Sequence, residues 1–122
     1  MEPGQTCSRT LLIFTSLPDE ASAQSLATAL VSERLAACVN ILAPCSSTYR
    51  WQGAIENAEE TPVLIKTTES RYAALEAAIR ARHPYELPEI IAVPVAHGLP
   101  EYLSWVDAET LAEPTDGNHA RC

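Results

Sequence analysis

Residues 83–88 read His-Pro-Tyr-Glu-Leu-Pro and place three side chains with usable chemistry within four positions. An imidazole such as that of His83 can bind a metal ion or relay a proton. Paired with the carboxylate of Glu86, it is a donor set for a divalent cation or a device for activating water. Two donors three positions apart make a weak pattern by themselves. His83 also stands at the C-terminal end of a helix-forming run. A cation is favoured there, and a side chain can bond free carbonyls, a role that needs no chemistry. Pro88 biases Leu87 toward extended backbone. Successive residues of the corner then point to opposite sides, so spacing does not bring His83 and Glu86 together.

Other reactive side chains are scattered. Cys38 lies in an apolar run, where a free thiol usually packs inertly. A thiolate meeting His83 across a strand and a helix would suit soft or borderline ions. Cys45 follows Pro44 and reads as the more exposed thiol. Lys66 is the sole lysine and follows the apolar Val63-Leu64-Ile65. Buried, it could clamp an anion; the simpler expectation is an ion pair with Glu56, Glu59 or Glu60. Tyr49 and Trp51 flank Arg50 and suit either a pocket wall or, preferably, a subunit contact. Lys66, Tyr85 and Trp51 are the expected lining of an intersubunit pocket. No phosphate-cradling glycine loop and no G-x-S-x-G elbow occurs. No residue is assigned a catalytic role, and the chain is not expected to be an enzyme.

These residues are positioned by a legible series of elements. Residues 9–15 form a short apolar strand. Pro18 and Asp19 suit the start of a helix whose core face carries Ala23, Leu26, Ala27, Leu30 and Val31. Residues 37–51 read as extended, with Pro44 requiring an edge, a bulge or a bend. Residues 61–68 form another strand. Thr68 can cap a second helix that buries Tyr72, Leu75 and Ile79 and stops at Pro84. Residues 88–95 make a last strand and residues 100–111 a short C-terminal helix. The order predicts an α+β, ferredoxin-like split β-α-β fold with an antiparallel sheet over residues 9–111. Residues 1–8 and 112–122 read as tails.

The 122 residues carry 16 acidic against 8 basic side chains, a net charge of −8. That opposes binding to nucleic acid and to anionic membranes, both of which select Lys and Arg. No apolar stretch is long enough to span a membrane. Four cysteines without C-x-x-C spacing do not form a disulfide framework, and the first ten residues lack a basic region followed by an apolar run. The expected compartment is the cytoplasm.

The strands are apolar at both parities, in Leu11-Leu12-Ile13-Phe14, Val63-Leu64-Ile65 and Ile90-Ile91-Ala92-Val93. One helical layer covers only one sheet face. Residues 37–50, fully extended, would also reach roughly 46 Å at ~3.3 Å per residue, against a radius of gyration of about 14 Å for a domain this size. Pairing with another chain is the favoured reading of that segment; the alternative is two short strands broken at Pro44. Trp105, Tyr102 and Leu103 add contact area of the kind found at interfaces. A closed oligomer is expected.

The stretches "PDEASAQSLATALVSERLAACVN", "YRWQGAIENAEETPVLIKTT" and "HPYELPEIIAVPVAHGLPEYLSW", in this order, resemble the CutA family of divalent-cation tolerance proteins. The resemblance covers most of residues 10–109. It implies a ferredoxin-like subunit in a compact homotrimer joined by long hairpins, with metal tolerance rather than a defined reaction. It also implies copper or another divalent cation as ligand, with His83, Cys38 and Glu86 as candidate donors. Some animal relatives are associated with anchoring acetylcholinesterase. Copper-associated members carry a cysteine where this chain has Thr15 and a histidine where it has Arg82. Those two replacements weigh against a tight copper site of that form. A small-molecule-sensing or protein-anchoring trimer is the alternative.

Overall fold

The chain starts its first helix with a carboxylate. In this computed structural model, which describes residues 8–111, Asp19 accepts the Ser22 backbone N–H at 2.7 Å, and Ser22 Oγ donates back to Asp19 O at 3.1 Å. That pair fixes the N-terminus of α1 (Glu20–Ser32). The backbone bond from Ser22, and then its hydroxyl, hold the Asp19 carboxyl below its ordinary value. Ala23, Leu26, Ala27 and Leu30 are buried as their spacing predicts, whereas Val31 is exposed. Arg34 adopts a left-handed φ of 61° to turn the chain out of the helix. Residues 1–7 and 112–122 lie outside the described residues, and with them Cys7, Cys122 and the greater part of both expected tails.

Five strands form the sheet: β1 (Thr10–Leu17), β2 (Cys38–Ile41), β3 (Cys45–Trp51), β4 (Ala54–Thr68) and β5 (Ile91–Pro94). The order is β2-β4-β1-β5, with β3 also paired to β4 and every pairing antiparallel. The expected α+β split β-α-β arrangement is therefore present, with α2 (Tyr72–Arg82) and a short C-terminal α3 (Pro100–Glu109). Residues 37–50 are two strands broken around Pro44, and both pair with β4 of the same chain. Pro44 removes one ladder donor, and the break lets β3 leave the main sheet as a hairpin. Its two-residue turn, Gln52–Gly53, has positive φ at both positions (50° and 84°), the geometry that matches strand twist.

Thr68 does not cap α2. It ends β4, and a single 3-10 turn (Glu69–Arg71) intervenes. Its hydroxyl instead meets Ser70 Oγ at 3.3 Å and Thr110 Oγ1 at 3.4 Å. The guanidinium of Arg34 reaches Ala108 O and Glu109 O at 3.5 and 3.3 Å, satisfying carbonyls at the end of α3.

The core lies between α1, α2 and one sheet face. Ile13, Leu17, Leu30, Val63, Ile65, Leu75 and Ile79 are its largest fully buried members. Residues of opposite parity face the other way: Leu12, Phe14 and Ser16 on β1, registered with Lys66, Leu64 and Pro62 on β4, and with Val93 and Ile91 on β5. Within one chain this second face is open. Phe14 is 36% exposed, Val93 45% and Ile91 51%.

Candidate functional site

Pro84 ends α2 by denying the next backbone donor, and His83 becomes the C-cap with extended backbone (ψ 135°). Its own N–H bonds Ile79 O at 2.9 Å. Its ring is held twice. Nε2 lies 2.7 Å from Ser16 O, and the Tyr85 backbone N–H points to Nδ1 at 3.2 Å. A carbonyl only accepts, so Nε2 carries the proton and donates, while Nδ1 accepts. The Tyr85 ring leans on the imidazole, with centroids 4.8 Å apart. His83 is thus the pin of the helix-to-strand joint.

Beyond that pin, the corner and the β3–β4 hairpin border a half-open cavity of about 880 Å³. Tyr49, Arg50 and Trp51 come from β3, Glu60 from β4, and Tyr85, Glu86 and Glu89 from the segment after α2. Burial first, and then the charge of Glu60 and a hydrogen bond to its carboxylate, push the Tyr85 phenol up. Tyr85 and Glu60 thus meet across this space from two different elements. Of the expected pocket residues, Tyr85 and Trp51 line this cavity together with Glu86; Lys66 does not.

Lys66 and Cys38 sit elsewhere, opposite one another on β4 and β2. The Lys66 amine donates to Asn40 Oδ1 at 2.9 Å, rather than pairing with Glu56, Glu59 or Glu60. Those acids belong to the hairpin half of β4, six or more positions away, whereas β2 delivers Asn40 alongside. Cys38 is half-buried, with Sγ 3.8 Å from the same Asn40 oxygen. Ser16, which anchors His83, pairs with Pro62, so some four residues of β4 separate the two sites, roughly 13 Å at ~3.3 Å per residue. Cys45 is exposed.

Residues 11–109 match the family model for the CutA1 divalent ion tolerance protein. The chain belongs to the CutA1 family. It is 44% identical to the divalent-cation tolerance protein CutA of Thermus thermophilus over 99 residues, 81% of this chain and 96% of that protein. The crystal structure of CutA from Xylella fastidiosa superposes with a TM-score of 0.82 at 50% identity, covering 84% of this chain and 99% of the other. The periplasmic divalent cation tolerance protein CutA from Archaeoglobus fulgidus gives 0.81 at 35% identity, covering 84% and 99%. CutA1 proteins are named for tolerance and not for a reaction.

The two positions where this CutA1 chain departs from the copper-associated pattern have clear placements. Thr15 is 2% exposed on the helix-covered side of β1, and its hydroxyl has no hydrogen-bond partner. Register places it on the sheet face opposite Cys38. Arg82 pairs with Glu33 at 3.5 Å, both side chains about half exposed. A divalent ion requires several donors converging at about 2.0–2.6 Å. Among the described residues, no three His, Cys, Asp or Glu side chains converge in this way. His83, Cys38 and Glu86 are not gathered at one point, and both ring nitrogens of His83 are engaged by backbone. The described residues of a single chain do not present a closed divalent-cation site.

Sequence reasoning passed over Glu60 and Glu89 as cavity residues. Glu60 had a signal. Counting back from a two-residue turn at Gln52–Gly53 pairs Tyr49 with Glu56 and Cys45 with Glu60, which sets Glu60 on the same hairpin face as Tyr49 and Trp51.

Proposed function

We propose that this CutA1 chain serves divalent-cation tolerance as a non-catalytic homotrimer in the cytoplasm. The observation that carries the assembly is the open sheet face, where Leu12, Phe14, Leu64, Ile91 and Val93 form one apolar surface in register. A contiguous apolar face rimmed by polar groups is the mark of an interface. The membership supports the tolerance role, and the absence of a convergent donor set within the described residues of one chain supports weak or shared ligation of any metal. In this reading copper or another divalent ion is taken where chains adjoin. Cys38 and Glu86 are the donors, and His83 joins them only by releasing a backbone bond. Two free cysteines among the described residues favour a reducing compartment. No helix among the described residues is long and apolar enough to cross a membrane.

Native mass spectrometry of metal-stripped protein tests this reading. The expected species is a trimer that takes up copper or zinc in whole-number steps at micromolar ion, with uptake lost in Cys38→Ala and Glu86→Gln while the trimer persists. A monomer at micromolar protein removes the assembly. A trimer that ignores both metals at tenfold excess removes the ligand.

A second reading has its own support: a small-molecule-sensing trimer in which metal binding is incidental. The 880 Å³ cavity beside the open face is the observation that favours it. Ser16 and Glu60 have the parity of that face, so covering it would place the cavity at a subunit boundary.

A further inference from the structure

The cavity between the hairpin and the corner has a lopsided chemistry. Tyr49, Trp51 and Tyr85 supply aromatic rings, and Glu60, Glu86 and Glu89 supply carboxylates. Arg50 is the one basic residue of the lining, so three carboxylates against one guanidinium leave a formal charge of −2. Those carboxylates are dispersed over the walls. They do not form a convergent group of three with one another or with any His, Cys or Asp among the described residues. Wrapping a compact, strongly hydrated divalent ion takes about six or more oxygens in one shell, which this arrangement does not supply.

A cation whose charge is spread over alkyl groups or a planar guanidinium makes different demands. It is weakly hydrated, it is attracted to aromatic faces within about 6 Å of the ring, and it needs acidic groups nearby rather than in a closed shell. The volume, about 880 Å³, falls in the range of roughly 300–1,000 Å³ typical of pockets that hold small molecules. From this placement we infer that the cavity is a site for a small organic cation, an alkylammonium or guanidinium compound, with Tyr49, Trp51 and Tyr85 as aromatic walls and Glu60 as the anchoring carboxylate. The Tyr85 phenol lies beside Glu60 in the lining, where burial and then the Glu60 charge push it up. The carboxylate oxygens of Glu60 can accept from a bound N–H or face a quaternary ammonium. Arg50 sits where it disfavours a second positive group. This assignment rests on the second reading above, in which the cleft takes a small molecule.

Calorimetric titration of the full chain, in the oligomeric state it adopts, separates the outcomes. The probes are tetramethylammonium and methylguanidinium, with tert-butanol as the neutral isostere and acetate as the anion, all at one ionic strength. Both cations saturate, the other two probes do not, and Trp51→Ala and Glu60→Gln each weaken the cations at least tenfold. Tyr85→Phe, which keeps the ring and frees Glu60, weakens them less. Circular dichroism and native mass confirm that each variant keeps fold and assembly; Tyr49→Leu replaces Trp51→Ala if the latter does not. Equal saturation by tert-butanol or acetate overturns the cationic class and leaves a small-molecule cleft. Cation binding indifferent to Glu60→Gln and to loss of the aromatic wall overturns the site. No saturation by any probe overturns both the class and the reading beneath it, and identifies the aromatic wall as subunit contact.

Discussion

The backbone N–H of Tyr85 donates to Nδ1 of His83 at 3.2 Å, so the residue that ends α2 also sets the direction in which the cavity's phenol leaves the joint. The other nitrogen ties the joint to β1 through Ser16 O. Replacing His83 with Ala removes both bonds and strands a half-buried carbonyl. Each such loss costs about 1–3 kcal/mol. Urea denaturation should therefore show H83A less stable by roughly that amount, with His83→Gln recovering part of it. A neutral H83A would mean that Pro84 and the core alone fix the corner.

Thr15 gives the opposite sign. Its hydroxyl is buried without a partner, and valine has nearly its shape. Thr15→Val should stabilise the fold by about 1–2 kcal/mol, because a desolvated, unbonded hydroxyl is removed without opening a cavity. Matched urea midpoints for the variant and the parent would remove this account of the site.

Alkaline pH should weaken the protein through two phenols. Tyr85 is pushed up by burial and Glu60, and Tyr72 by burial and Glu76, both from an ordinary value of 10.0. A folded-state value above the unfolded one means a contribution fully present below the unfolded value and lost as pH rises through the folded one. Stability should hold up to about pH 9.5 and fall beyond pH 10, with Tyr85→Phe showing a shallower fall. Chemical denaturation at pH 9 and pH 11 measures the difference.

The open sheet face is tested by Phe14→Asp. Phe14 packs between Leu64 and Ile91 in register, on the side away from the helices. A carboxylate there leaves the helix-covered core untouched and opposes burial by another chain. Light scattering should report a monomer in place of the proposed trimer, with an unchanged far-ultraviolet spectrum. A persistent trimer would move the interface to another surface.

Much of this structure is legible in the residues. Apolar runs and helical spacing place β1, α1, the 61–68 half of β4 and α2, but residues 54–60 read as part of a turn, and the structure makes them the hairpin half of β4. The double apolarity of Leu11–Phe14 and Val63–Ile65 announces two faces to cover. His83 reads correctly as a joint because Pro84 leaves few other options. The rest depends on partners far apart in sequence. Nothing local says that Lys66 will find Asn40 across β2 rather than an acid on its own strand. Thr68 has the type of a helix cap, yet Thr110 and Ser70 take its hydroxyl. Glu60 and Tyr85 are 25 positions apart, and only the register of the hairpin and the angle of the corner bring them together.

The fifteen-residue β4 belongs to two structures at once, the hairpin with β3 and the sheet with β1 and β2. These unions differ in how far apart their members lie along the chain. The hairpin closes across two residues, and such turns form in about 1–10 μs. The pairing of Thr10 with Thr68 closes a loop of more than fifty residues, a slower search. The expected order of folding is therefore hairpin first, with β1 arriving late on β4. Substitutions at Gln52–Gly53 should slow folding, whereas those at the β1–β4 seam should mainly quicken unfolding, a division that φ-values read directly.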